Sequence, residues 1–292
     1  MRASVVITTH NRRLIVPDAV ESALSQSVEE IEVIVVDDGS ADGTADELTR
    51  RFGHDPRLRI VRRPNGGPPA ARNTGLDAAV GPYLALLDSD DLWRPEHLAS
   101  QLKVLQENPE ADMVLDNGLC NTPSGKPYLL FERPQWVFPH TIEDMCKISY
   151  LLPSFSVFRT PVLRELRFDE NFRLCDDTEL LWRFLANGHH SVENARTLAE
   201  YRVICEPGGQ SAAQLTCDED TILLTQYDIW KRYRSQYPQA LERGSAMDRD
   251  LAELLLRHDR PKEARWHAER LAQTAPDDPD AIRLLQPTSA KQ

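Results

Sequence analysis

Residues 83–95 read YLALLDSDDLWRP. A strand-length apolar run, Tyr83–Leu87, stops at Asp88-Ser89-Asp90-Asp91, and Pro95 then opens a helix expected to reach Asn108. Proline suits a first helical turn because the N–H it lacks would be unbonded there anyway. An apolar strand that ends in carboxylates matches the way open α/β sheets bind ligands, beyond the carboxyl ends of their strands. Two acids flanking a small residue can hold a hard divalent cation. The triplet alone also reads as a cap, with Asp90 or Asp91 closing the start of the following helix.

Moving outward, the same grammar repeats. Ser4–Ile7 reads as a buried strand ending in Thr8-Thr9-His10-Asn11, and Pro17–Gln26 has helical spacing. Ile31–Val36 is a second strand, closed by Asp37-Asp38-Gly39-Ser40, and Thr44–Phe52 is helical. Leu58–Val61 is a third strand, followed by Asn65-Gly66-Gly67 and a helix over Ala70–Ala79 that carries Arg72. Met113–Leu115 is a candidate further strand. Apolar strands alternating with amphipathic helices predict an α/β fold with a mostly parallel central sheet flanked by helices. The polar residues after the strands then converge on one edge: Thr8, His10, Asp38, Arg72, Asp88, Ser89 and Asp90. Singly, each has a plainer reading, since Asp-Asp-Gly-Ser makes a turn unaided and Arg72 could lie on a helix surface.

The chain downstream is less regular. Residues 118–215 are punctuated by prolines, with a helix expected over Asp177–Ala186. A longer helix is expected over Asp218–Tyr237, carrying Tyr227, Trp230, Tyr233 and Tyr237 in a stripe whose spacing favours a core face over a ligand-binding or membrane-surface one. From Ser245 the composition changes, and Leu251–His258 and Lys262–Gln273 read as two helices. Their order resembles a tetratricopeptide hairpin, with Ala264 and Ala268 at close-approach positions. The expected organisation is a domain over 1–215 in two halves, 1–117 and 118–215, a connecting helix over 216–244, and a small all-helical segment over 245–292. That hairpin is a candidate for docking or for homodimer formation.

Composition bounds the function. With 292 residues and a net charge of −12, the chain lacks the basic surface that non-specific nucleic-acid binding requires. An acidic protein that takes an anionic ligand must neutralise it locally, with arginines, helix N-termini or a metal. No apolar run approaches the ~20 residues of a membrane span, and the start MRASVVITTHN is unlike a signal peptide. Five scattered cysteines without a CxxC pair point to a cytoplasmic location, away from disulfide frameworks and zinc sites.

The stretches VVITTHNR, VIVVDDGSADGT, NGGPPAARNTGLDAAVGPYLALLDSDDLWRP and FDENFRLCDDTELLWRFLANG, in this order, closely resemble family 2 glycosyltransferases of the Rossmann-like GT-A fold. The resemblance implies an inverting transferase that moves a sugar from a nucleotide-diphosphate donor, UDP-sugar favoured, with Mn²⁺ or Mg²⁺ on the diphosphate. Thr8 and His10 match positions at the nucleotide, His10 standing where an aromatic ring usually stacks on the base. Asp38 matches the acid at the base edge and Arg72 the arginine beside the nucleotide. Asp88 matches the ribose-side member of the DxD motif, Ser89 its middle residue and Asp90 the metal ligand. Asp177 matches the general base, with Asp176 in support where the family usually has Glu. The family often places a histidine after a Tyr-Arg pair. Here Tyr201-Arg202 is followed by Val203-Ile204-Cys205, so Arg202 is the candidate substitute. The acceptor is left open among a glycan, a lipid-linked sugar, a protein and a small molecule. A nucleotidyltransferase or an inactive nucleotide-sugar-binding scaffold are the competing readings. The first would normally carry a glycine-rich N-terminal loop, which THNRR is not.

Overall fold

The computed structural model describes residues 3–121, 126–129, 138, 140–142, 144–146, 153–202, 219–233, 245–274, 276–277 and 279–285. Two compact units divide the chain, Met1–Glu219 and Asp220–Gln292. Residues 220–292 contain twelve acidic and twelve basic side chains, so the whole negative excess belongs to the first unit.

In the first unit the elements run β1 (Ala3–Thr9), α1 (Val16–Leu24), β2 (Ile31–Asp37), α2 (Thr44–Phe52), β3 (Leu58–Arg62), α3 (Pro68–Ala78) and β4 (Tyr83–Asp88). There follow β5 (Leu92–Trp93), α4 (His97–Glu107), β6 (Met113–Asn121), β7 (Tyr128–Leu129), β8 (Ser156–Arg159), α5 (Thr160–Leu166), α6 (Asp176–Ala186) and β9 (Ser191–Arg202). The strands order as β3-β2-β1-β4-β8-β6-β9-β5, with β7 beside β6. β1 to β4 are mutually parallel; β1, β2 and β4 are the near-continuous apolar runs expected of strands covered on both faces, while β3, LRIVR, is part-exposed beside β2. β8 enters antiparallel between β4 and β6, and β6 runs parallel to β9. The sheet is therefore mixed, its parallel part being the half that alternates strand and helix in sequence.

The core lies between the sheet and its helices, with Val5, Ile7, Val33, Val35, Ala85 and Leu87 packed against Val16, Val20, Leu98 and Leu102. On the other face α3 presses on β1 through Gly75, where an added Cβ would lie 2.3 Å from Val6 Cγ1. α4 begins at His97, two residues beyond its proline, because His97 N–H bonds the Arg94 carbonyl in a preceding turn. The fifth strand of the sequence reading is longer than Met113–Leu115. It continues through Gly118 to Asn121 beside β9, past a register shift between Asp116 and Gly118.

The second unit holds α7 (Glu219–Tyr233), α8 (Ser245–Arg257), α9 (Pro261–Thr274) and α10 (Pro279–Leu285). Tyr227, Trp230 and Tyr233 are buried, so the aromatic stripe of α7 is a core face. Tyr237 lies outside the described residues. α8 packs on α9 around Ala252, Leu255, Ala264, Ala268 and Leu271. Inside this unit His267 Nδ1 sits 2.6 Å from the Asp248 carboxylate, which also accepts from Arg270. Among the described residues, no helix is long and apolar enough to cross a membrane.

Candidate active site

Parallel pairing sets the site. Thr8 lies opposite both Val36 and Asp88. The loops after β1, β2 and β4 therefore leave the sheet at one level, and the start of α3 is delivered to the same edge. Thr8 is partly buried there and His10 is exposed.

At one corner stands Asp38, only 4% exposed. Its carboxylate accepts from the Gly66 N–H at 3.1 Å, the Gly67 N–H at 2.7 Å and Arg63 Nη1 at 2.9 Å. Asp38 thus shapes the loop between β3 and α3. Gly39 permits the close approach: its φ is +79°, and a Cβ there would meet the Asn65 nitrogen at 2.8 Å. His10 Nδ1 sits 2.9 Å from the Asp38 carbonyl, which also accepts from Asn65 Nδ2 at 3.0 Å.

At the centre lies Arg72, on α3. The plainer reading of a surface arginine does not hold, since it is only 7% exposed. Nη2 donates to Asp88 Oδ1 at 2.9 Å, Nη1 reaches Asp176 Oδ2 at 2.5 Å, and the guanidinium lies over the Phe168 ring. Burial disfavours the cation, yet the carboxylates of Asp176, Asp88 and Asp177 more than offset this and fix its proton.

Beyond Asp88 the acids crowd together. Asp90 Oδ1 is 2.9 Å from Arg12 Nη1, which also donates to Ser89 Oγ at 2.9 Å. Asp91 is 1% exposed and accepts from the Ser154 hydroxyl at 2.6 Å and the Arg202 N–H at 3.1 Å. Ser154 Oγ in turn accepts the Asp88 N–H at 3.0 Å. Burial, with neighbouring acids adding to it, lifts the carboxyls of Asp90 and Asp91 above the ordinary range. Arg202, the candidate histidine substitute, donates its Nε to the Asp90 carbonyl at 2.5 Å and pairs through Nη1 with Asp18 at 3.0 Å, so it is attached to the acidic loop.

Asp176 and Asp177 open α6 after Cys175, whose left-handed φ of 55° turns the chain into the helix. The N-cap of α6 is Cys175, without a side-chain cap, and Asp176 is committed to Arg72. Asp177 keeps a partly exposed edge and accepts from the Thr178 N–H at 2.6 Å. Burial, then the Asp176 charge, pushes its carboxyl up to about 7, with Arg72 opposing.

Sequence reasoning missed Arg12, Arg63 and Ser154, and it read Asp91 only as a cap. Ser154 and Arg63 carry no local signal, since their partners are set by the fold. Arg12 stood in the quoted THNR stretch, but nothing in four residues tells which carboxylate it reaches. Among the described residues no three His, Cys, Asp or Glu side chains form a ready-made metal cage.

Residues 4–167 match the family described as Glycosyl transferase family 2. The succinoglycan biosynthesis protein ExoO of Rhizobium meliloti is 35% identical over 196 residues, covering 63% of this chain and 55% of that protein. An uncharacterized glycosyltransferase of Rickettsia felis is 42% identical over 107 residues, covering 37% of this chain and 18% of its own length. The chain therefore aligns with under a fifth of that relative and about half of ExoO. Among solved structures, S. aureus TarS 1-349 in complex with UDP-GlcNAc matches with a TM-score of 0.63 at 22% identity, covering 98% of this chain and 80% of that one. The mannosyltransferase PcManGT from Pyrobaculum calidifontis, in complex with GDP-Man and Mn²⁺, matches with a TM-score of 0.59 at 19% identity, over 97% and 78%. The strand order, the acids gathered at one sheet edge and a family match over more than half of the length agree: the chain belongs to glycosyl transferase family 2, with a sheet of the GT-A type.

Proposed function

We propose that the chain transfers a sugar, with inversion, from a nucleoside-diphosphate sugar to an acceptor hydroxyl. The observation that carries this reading is the bridge made by Arg72, which holds the donor-side Asp88 and the α6 acids at one edge of the sheet. Thr8, His10 and the Asp38 corner receive the nucleotide, with UDP favoured, and Ser89 lines the sugar-phosphate side. TarS was solved with UDP-GlcNAc and PcManGT with GDP-Man, which supports a nucleotide-sugar donor as a class.

Asp177 is the general base. Its carboxyl, at about 7, is poised to accept a proton near neutral pH. The acceptor oxygen then forms its bond to the anomeric carbon as the bond to the diphosphate breaks on the opposite face. The nucleoside diphosphate leaves as a stable anion, so one carboxylate suffices, whereas a glycosidase needs two. Asp176 and Arg72 keep the base in register with the donor.

Asp90, with Asp88, is assigned to the divalent ion, Mn²⁺ or Mg²⁺. The donor set fits: these are hard oxygen ligands, and the crowded, partly desolvated acids of the loop carry negative charge that a cation relieves. When bound, the ion neutralises the charge developing on the departing diphosphate. Asp88 and Asp90 would hold the ion through two carboxylates only, which would leave positions open to phosphate oxygens and water. The acceptor is assigned to residues 118–175, and its class stays open among glycans, lipid-linked sugars, proteins and small molecules. The helices of the second unit are assigned to docking or self-association, supported by the exposed Leu223 and Ile282. Incubating the chain with UDP-GlcNAc and Mn²⁺ tests the activity, since slow release of UDP that Asp177→Asn and EDTA both suppress is expected. No release from any UDP-, dTDP- or GDP-sugar would leave a binding scaffold.

A further inference from the structure

Arg12 has no role in the reaction described above, yet its placement is closely determined. Asn11, at φ +51°, turns the chain sharply after β1. Three successive backbone N–H groups are then fastened to the loop between β2 and α2 and to the first residue of α2: Asn11 to Ser40 Oγ at 2.8 Å, Arg12 to Thr44 Oγ1 at 3.1 Å and Arg13 to Asp42 Oδ2 at 3.0 Å. The Asn11 side chain closes the same loop by accepting the Ala41 N–H at 2.8 Å. With its root held this way, the Arg12 side chain crosses to the loop after β4. There Nη1 lies 2.9 Å from both Asp90 Oδ1 and Ser89 Oγ. The pair is largely enclosed, with side-chain exposures of 14% for Arg12 and 10% for Asp90.

The neighbouring cations have other commitments. Arg72 serves Asp88 and Asp176, and Arg202 is tied to the Asp90 carbonyl and Asp18. Arg12 is thus the guanidinium that faces the carboxylate assigned to the metal. A guanidinium and a divalent ion cannot share one enclosed carboxylate at contact distance without strong mutual repulsion. We infer that Arg12 is an internal counter-cation that occupies Asp90 in the metal-free protein and must be displaced when the divalent ion binds, so that it sets the affinity of the site for metal. This rests on the assignment of Asp90 as the metal ligand. It follows that the chain carries Asp90 in a stable form without metal, and that metal affinity is held below what the carboxylates alone would give.

The test is calorimetric titration of the full chain with Mn²⁺ at saturating UDP, alongside metal-free thermal denaturation, for wild type, Arg12→Gln, Arg12→Lys and Asp90→Asn. Removing the competitor should tighten Mn²⁺ binding by about tenfold, as expected for a partly buried ion pair. Arg12→Lys should stay close to wild type. Without metal, Arg12→Gln should melt below wild type, and saturating Mn²⁺ should restore more of its stability than it adds to wild type. If Asp90→Asn abolishes Mn²⁺ binding but Arg12→Gln binds the ion no more tightly than wild type, the competition is refuted and the metal assignment stands. If Asp90→Asn binds Mn²⁺ as wild type does, the metal assignment itself fails.

Discussion

Arg72 Nη1 lies 2.5 Å from Asp176 Oδ2, joining two residues 104 apart in sequence within a buried ion pair. The same guanidinium holds Asp88, so the donor side of the site and the acids of α6 share one rigid connector. Breaking a buried pair by removing one partner costs about 3–5 kcal/mol, because the other charge stays behind. Asp88 retains part of the Arg72 charge, so Asp176→Asn is expected to lose about 2–3 kcal/mol in urea denaturation. A loss below that of an ordinary surface substitution refutes the connector role.

Asp177→Asn should behave in the opposite sense. Loss of a general base lowers turnover by about 10²–10⁴, while UDP affinity by calorimetry stays within about twofold because the donor contacts are untouched. An Asp177→Asn enzyme with wild-type turnover places the base elsewhere.

Stability should report the same carboxyl. The Asp177 pKa rises from 3.8 to about 7 in the folded chain, so the native state binds the proton more tightly than the unfolded one. Its contribution is fully favourable below 3.8 and is lost as pH rises through about 7. Asp177→Asn should therefore be more stable than wild type at pH 8, by about 1–2 kcal/mol after allowing for its partly exposed edge. The gain should shrink steadily as pH falls from about 7 toward 3.8. Melting curves at pH 5 and pH 8 that differ equally for both proteins contradict this shift.

Asp90→Ala should remove the metal dependence of donor binding. In wild type, UDP raises the melting temperature more with Mn²⁺ than with EDTA, since a ligand that binds only the native state stabilises it. In the variant the two shifts should coincide. Equal UDP affinity in EDTA and in Mn²⁺ for wild type contradicts the metal assignment.

Gly75→Ala tests the packing of α3. Alanine is the better helix former by about 1 kcal/mol, but its methyl would sit 2.3 Å from Val6 Cγ1. Overpacking costs about 1–3 kcal/mol and should win. A more stable variant shows that β1 and α3 yield more easily than the geometry implies.

A chain ending at Glu219 should retain UDP binding by calorimetry and lose any dimer seen by light scattering. If the full chain is monomeric and the shortened one equally soluble, the second unit has no part in self-association.

Much of the parallel half was legible because three of its four strands carry a full signal locally. SVVI, IEVIVV and YLALL are apolar runs closed at once by polar residues, and burial on both faces leaves them no other pattern. β9 was not legible. Its sequence SVENARTLAEYR is largely polar and half exposed, and it becomes a strand by pairing with β6 and β5. β8 has only four residues and is defined by the neighbours it enters between. The acids Asp38, Asp88 and Asp90 stood out as candidates because they close strands, and Asp177 only through the resemblance of FDENFRLCDDTELLWRFLANG to the family. Which cation each one meets could not be read. Arg12 reaches Asp90 and Arg72 reaches Asp176 across separations that no local pattern encodes.

The mixed order of the sheet also governs how the chain can be made. β4 pairs with β1 on one side, but its other edge waits for β8, which is synthesised long after it. Until then a strand of apolar sequence presents an open row of backbone donors and acceptors, the feature that templates wrongful pairing. Arg72 meanwhile has no Asp176 to meet. The nascent N-terminal half should therefore linger as an incompletely closed intermediate on the ribosome, dependent on shielding until β8 and α6 emerge.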